Sequence, residues 1–193
     1  MGIANALRSL HEHNVAHGDL HWVRNCDFPV DPRFTIPPNQ ENMLLKTSSP
    51  QDEKPSVLLC DFGMTRLHHR SGPNSTSTEP RTSLKQPFAA PELIKLHQQG
   101  IEVKPEPPVD VYAFGKTIYT LLTASEPPIG ALEDDPPNHL AAVVGGRKAL
   151  ALWAIVKRMT ALDPQSRPPM ADSSPEAKGV VTEMRKILAN FLY

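Results

Sequence analysis

The sequence contains few of the features that would assign it to a secreted, membrane or nucleic-acid-binding class. Its two cysteines, Cys26 and Cys60, are too few for a disulfide framework. No apolar run approaches the roughly 20 residues of a membrane span, and the N-terminus lacks the apolar stretch of a secretory signal. Twenty Lys and Arg balance twenty-one Asp and Glu, so no global positive field attracts nucleic acid or an anionic membrane. We therefore expect a cytoplasmic or nuclear protein whose function depends on a local site.

The apolar residues, 39% of the 193, are sufficient for the core of one ordinary domain. Proline is abundant, and its 21 residues divide the chain because the ring fixes φ and removes an amide donor. The proline clusters lie at 29–38, 105–108, 127–137 and 164–175.

Apolar residues recur at helical spacing in four segments outside these clusters. The segments are 3–10, 111–122, 152–159 and 180–191. Asn14 is expected to end the first helix in the left-handed conformation, and Ser174 to cap the fourth, with Pro175 at its first position. Only residues 43–45 and 56–60 favour strands. The sequence therefore predicts a mainly α fold with one short β hairpin.

Five short motifs follow one another along the chain. They are HGDL at 17–20, DFG at 61–63, APE at 90–92, DVYAFG at 110–115 and LDPQSRP at 162–168. Each is weak evidence alone, but their order and spacing resemble those of protein kinases, which carry HRDLxxxN, DFG and APE. By this resemblance, which spans 17–168, the chain is identified as a member of the eukaryotic-type protein kinase family.

The resemblance implies a partial kinase domain over residues 1–193 that comprises the large C-terminal lobe, with 61–92 as its activation segment. No glycine-rich loop, strand lysine or helical glutamate precedes HGDL in the sequence, so the small N-terminal lobe is expected to be absent. We expect little activity from these residues alone. The apolar surface normally covered by that lobe would then favour a partner protein.

Phosphoryl transfer depends mainly on positioning and charge neutralisation, so it needs a carboxylate near the attacking hydroxyl and hard oxygen ligands for Mg²⁺. The resemblance implies that Asp19 accepts the proton of a protein hydroxyl. It implies that Asn42 and Asp61 bind Mg²⁺ at the phosphates of ATP, and that Leu44 lies beneath the adenine. Gly63 would supply the backbone freedom of the DFG motif.

Structural roles follow from the same resemblance. His17 and Phe62 would stack in a hydrophobic spine, and Asp110 would anchor the backbone of the catalytic loop. Glu92 and Arg167 would form a buried ion pair that ties the activation segment to the late helices. The histidine pairs His11/His13 and His68/His69 are interpreted instead as solvated surface residues, because they lack companion metal ligands.

Three positions depart from the family pattern. Gly18 replaces the arginine that grips a phosphorylated activation segment, so switching through that contact is not expected. His21 and Lys85 replace a lysine and a threonine typical of serine/threonine enzymes. The hydroxyl class is therefore open, with serine and threonine favoured by the motifs as a whole. A small-molecule phosphotransferase, which shares HGDLH, and a noncatalytic kinase-like interaction module are the alternatives.

The catalytic loop contains a segment that the family lacks. Arg24 stands five residues after Asp19, where kinases have the metal-binding asparagine. Removal of the 18 residues 23–40 restores HGDLHWENMLL and brings Asn42 to that position. We interpret the segment as a translated, unspliced intron. A genuine loop insertion, whose closure costs roughly 2–3 kcal/mol, and the use of Asn25 as metal ligand are the alternatives.

A retained intron would be visible in the gene. The codon of Val23 necessarily begins with GT, whereas that of Gln40 is either CAA or CAG, and only CAG supplies the terminal AG. We expect CAG at Gln40, and sequencing of transcripts should detect a shorter message without these codons. A CAA codon would exclude the intron and leave a loop insertion.

Overall fold

The computed structural model describes residues 2–20, 43–46, 56–59, 62, 66–67, 84, 86–101, 105–137, 140, 146–175 and 177–189. Its elements are α1 (Gly2–Glu12), β1 (Val15–Ala16), β2 (Met43–Lys46), β3 (Ser56–Leu59), β4 (Arg66–Leu67), α2 (Pro91–Gln98), α3 (Pro107–Thr123), α4 (Gly146–Met159), a 3₁₀ turn (Pro164–Ser166) and α5 (Val180–Ala189). The fold is mainly helical, as predicted. No helix in this described part of the chain is long and apolar enough to cross a membrane.

Two antiparallel ladders accompany the helices. In the predicted hairpin, β2 pairs with β3, with Met43 opposite Leu59. The second ladder, which was not predicted, pairs β1 with β4 and sets Val15 opposite Leu67. Strands of two residues are too short to show an alternating pattern in sequence. This ladder brings the residues just before HGDL beside those just after DFG.

The first helix ends as predicted. The face of α1 that contains Ala4 and Leu7 is buried, with Ile3 and Leu10 packed against the same core. Asn14 then adopts φ 55°, a left-handed conformation that asparagine tolerates better than most residues. The chain can therefore turn directly from the helix into β1.

The core is built around α3, which is buried along most of its length. Side chains of α1, α4 and α5 form one apolar cluster with α3. Leu121 is an exception to the predicted stripe, because it is 53% exposed in the last turn of α3. The helix α2, with Pro91 at its first position, was not among the four predicted helices. Its eight residues are too few to display a full amphipathic pattern.

The predicted start of the last helix at 174–175 is wrong, because α5 begins at Val180. The amide of Gly179 donates to the carboxylate of Asp172 at 2.8 Å, so the preceding residues form a loop rather than a helical turn. The loop passes so close to Ala171 that a Cβ on Gly179 would lie 2.3 Å from its carbonyl. Tertiary contact thus decides where this helix begins.

Two ionisable side chains of α3 lie within the core. The ammonium of Lys116, which is fully buried, donates to the carbonyls of Pro128 and Gly130, both at 2.6 Å. The hydroxyl of Tyr112 donates to the same Gly130 oxygen at 3.1 Å. Burial lowers the pKa of Lys116 to about 8. Burial also raises the pKa of Tyr112 to about 12, an effect that the Arg167 charge partly offsets.

Substitution of Gly179 by alanine is expected to destabilise the protein. The added methyl would overlap the Ala171 backbone, which cannot move aside as a flexible side chain can, so we expect a loss of about 1–3 kcal/mol. Urea denaturation measures this change. Gly146→Ala is the matched control, since a Cβ there meets nothing within 4 Å. Equal effects of the two substitutions would contradict the close approach.

The buried lysine makes stability depend on pH. The unfolded chain holds the Lys116 proton up to pH 10.5, whereas the folded chain releases it above about 8, so the folded state binds fewer protons in this window. Below about pH 8 the buried charge lowers the free energy of unfolding by its full amount, and this destabilisation disappears as pH rises toward 10.5. Relative to Lys116→Met, the wild-type protein should gain on the order of 2 kcal/mol between about pH 7 and about pH 10. Urea denaturation tests this, and a pH-independent difference would contradict it.

Candidate active site

Residues 17–20 leave β1 through a bend at Gly18. His17, Gly18 and Leu20 are buried, whereas Asp19 is half-buried. Gly18 has φ 83°, a conformation that a residue with a side chain adopts only with strain. The glycine of HGDL therefore suits the backbone of this bend.

Asp110, in the first turn of α3, holds the bend in place. Its carboxylate is fully buried and accepts hydrogen bonds from the amides of His17 at 2.7 Å and Gly18 at 2.8 Å. His11 Nε2 donates to the same carboxylate at 2.9 Å. Three N–H donors and the N-terminal end of the helix dipole compensate the buried negative charge. The backbone of the HGDL segment is thus attached directly to the central helix.

The interpretation of His11 as a surface residue is wrong, because its side chain is only 8% exposed. His11 follows Leu7 by four residues and lies on the same buried side of α1, and this spacing was the available indication in the sequence. His13, by contrast, is exposed, and its ring bonds to the carbonyl of Ser9 at 2.8 Å. The structure assigns His11 to the group that positions the loop.

The aromatic residue of DFG meets the catalytic loop. The rings of His17 and Phe62 lie 4.9 Å apart between centroids, at an angle of 49°. Phe62 is otherwise 45% exposed. Behind this contact, the β1–β4 ladder joins the chain segments that precede HGDL and follow DFG. Two motifs more than forty residues apart in sequence are therefore neighbours in space.

Most of the remaining predicted site residues lie outside the part of the chain that the structure describes. Asn42, Asp61 and Gly63 lie outside the described residues, as does the segment 23–40. Leu44 is in β2, opposite Leu58. Among the residues that are described, no group of three or more His, Cys, Asp or Glu forms a candidate metal site.

An ion pair joins α2 to the turn after α4. The guanidinium of Arg167 binds the carboxylate of Glu92 through two parallel hydrogen bonds, at 2.5 and 2.8 Å. Further Arg167 donors reach backbone carbonyls, among them those of Ala161 at 2.8 Å and Pro108 at 3.0 Å. The guanidinium carbon also lies 4.9 Å from the ring centre of Tyr112. Such complete pairing is what a fully buried cation requires.

These contacts define the large lobe of a protein kinase-like fold. In agreement, the family model of protein tyrosine and serine/threonine kinases matches residues 1–173. The chain belongs to this kinase family.

Two curated kinases are similar over most of the chain. Ribosomal protein S6 kinase alpha-2 of Mus musculus is 27% identical over 176 residues, and that of Homo sapiens is 26% identical over 175 residues. Each match covers 86% of this chain but 20% of the relative. The chain therefore spans about a fifth of the length of these relatives.

Replacement of Asp110 by asparagine should loosen the catalytic loop. An amide offers one acceptor oxygen for three N–H donors and turns its own NH₂ toward at least one of them, so buried donors lose their partners. We expect a loss of about 2–4 kcal/mol in urea denaturation. Asp135→Asn, at an exposed position, is the control and should change stability by less than about 0.5 kcal/mol. A similar small change for Asp110→Asn would contradict the anchoring role.

Proposed function

We propose that this chain provides the phosphoryl-transfer lobe of a protein kinase that acts in the cytoplasm or nucleus, using ATP and Mg²⁺, on serine or threonine hydroxyls of proteins. The observation that supports this most is the attachment of residues 17–18 to Asp110, with Phe62 packed on His17. It gives the carboxylate of Asp19 a fixed backbone beside the DFG segment.

Asp19 is proposed as the group that accepts the proton of the substrate hydroxyl. The two residues before it are bonded to the core, and its own amide points toward His17 Nδ1 at 3.4 Å. Leu20, the next residue, is buried. A base that is held on both sides loses little entropy when a substrate arrives, and small errors in its position cost large factors in rate.

The use of ATP and Mg²⁺ is proposed from the family and from the chemistry of two side chains. Asp61 and Asn42 carry the carboxylate and amide oxygens that Mg²⁺ prefers, and they would hold the ion. Bound Mg²⁺ neutralises phosphate charge during transfer. Leu44, in β2, would contribute apolar surface to the adenine.

A protein substrate is favoured over a small molecule. The family match extends over 1–173 and so includes APE at 90–92 and DPQSRP at 163–168, which small-molecule phosphotransferases of related fold generally lack. In the structure these two motifs are joined by the Glu92–Arg167 ion pair. Serine and threonine are proposed from the motifs as a whole.

A noncatalytic interaction module is the second candidate, and it is favoured by the 18 residues 23–40, which the family pattern lacks. These residues separate Asp19 from Asn42, which must act together in catalysis. An interaction module would use apolar surface such as Phe62 to bind a partner protein.

Phosphoryl transfer to a serine/threonine peptide library tests the proposal. The protein is the product of the longest transcript that contains these 193 residues, prepared with and without 23–40. Asp19→Asn should lower kcat by about 10²–10⁴-fold and leave the KM for ATP nearly unchanged, because it removes a base rather than a nucleotide contact.

Asp135→Asn, which alters an exposed carboxylate, should retain full activity. If phosphoryl transfer occurs only after residues 23–40 are removed, the native activity belongs to the protein made from a spliced message. If neither form shows Mg²⁺-dependent transfer, the interaction module replaces the kinase.

A further inference from the structure

A fully buried lysine without a carboxylate partner is uncommon, because the charge must be compensated by other groups. In the described part of the chain, Lys116 directs its ammonium to the carbonyls of Pro128 and Gly130. The ammonium nitrogen also lies 5.2 Å from the ring centre of Tyr112. Lys116 is thus paired with a backbone turn, here called the 128–130 turn, and with an aromatic face.

The 128–130 turn is bonded to α3 at three points. Two of the bonds come from Lys116, and the third comes from the Tyr112 hydroxyl, which shares the Gly130 oxygen. Gly130 has φ 89°, so glycine is required for the carbonyl to adopt this position. The turn itself is largely exposed, and Ile129 at its centre is solvent-accessible. A surface turn is therefore held by donors from the core.

Tyr112 connects this turn to a second structure. Its ring lies near two cations, the ammonium of Lys116 and the guanidinium of Arg167. The same guanidinium binds Glu92, at the start of α2. A continuous set of contacts therefore runs from the turn through Lys116 and Tyr112 to the ion pair that holds α2.

We propose that Lys116 and Tyr112 form a conformational relay, which couples the position of the 128–130 turn to the Glu92–Arg167 ion pair and hence to α2 at the end of the 61–92 segment. The relay is a property of the fold and does not depend on phosphoryl transfer.

The physical basis is the cost of an unpaired buried charge. If the turn moves outward, Lys116 loses both carbonyl partners and must follow them away from Tyr112. The Tyr112 hydroxyl loses Gly130 at the same time and must find another acceptor. If the Tyr112 ring moves as a result, it no longer packs on the Arg167 guanidinium. By reciprocity, a change at the ion pair alters the stability of the turn.

Lys116→Met tests the relay, because it preserves most of the volume and removes the charge and the donors. The local measurement is cleavage by a glutamate-specific protease after Glu133, an exposed residue near the turn. The distant measurement is hydrogen exchange of the α2 amides at 93–98. We expect faster cleavage together with about fivefold or greater acceleration of exchange in α2. The α5 amides at 181–189 are the internal reference and should not change.

Lys157→Met is the matched control. Lys157 binds Asp134 at 2.5 Å, in the same exposed segment, but is not among the cations that contact Tyr112. It should raise cleavage at Glu133 without an effect on α2. Tyr112→Phe, which removes only the hydroxyl bond to Gly130, should accelerate both measurements and serves as the test if Lys116→Met fails to fold. Acceleration of cleavage with α2 unchanged, or equal acceleration of α2 and α5, would overturn the relay.

Discussion

The carboxylate of Asp110 is the interaction on which the arrangement of the site depends. A carboxylate without solvent contact is tolerated only when hydrogen bonds replace its hydration, and here the amides of His17 and Gly18 and the ring of His11 supply them. The donors come from α1 and from the bend that follows β1. The compensation of one charge therefore determines how the first helix, the central helix and the catalytic loop lie relative to one another.

The same principle operates at two further buried charges that contact or belong to α3. The side chain of Arg167 is as completely buried as that of Asp110, and Glu92 together with backbone carbonyls satisfies its donors. Lys116 repeats the arrangement with carbonyls alone. Two of these three buried charges, Asp110 and Lys116, lie on α3, and the third, Arg167, binds the carbonyl of Pro108 in the first turn of the same helix. Each charge attaches a different segment of the chain to the central helix. Loops that would otherwise have few apolar contacts are held to the core in this way.

In the sequence, residues 23–40 lie between two parts of this framework. On one side of them the chain is bound to Asp110 up to Gly18, and Leu20 is buried. On the other side β2 begins at Met43 and pairs along its whole length with β3. The anchors of the catalytic loop thus precede residues 23–40, and the hairpin follows them.

The sequence alone determined the helical character of the chain, since α1, α3 and α4 carry apolar stripes that only a helix can bury on one side. It also determined the hairpin, which two short apolar segments predict. It determined the family as well, because five motifs in the family's order are strong evidence although each motif alone is weak. Through the resemblance it also indicated that Glu92 pairs with Arg167 and that Asp110 holds the backbone after β1, but not that His11 binds Asp110.

The tertiary structure alone decided the features that depend on distant neighbours. The start of α5 is set by the contact of Gly179 with Ala171 and Asp172, whereas local preference indicated an earlier cap. The burial of His11 and Lys116 follows from a carboxylate and two carbonyls that lie on other segments. Local sequence reports backbone preference and apolar periodicity, but a polar side chain is buried or exposed according to the partners that the rest of the chain brings to it.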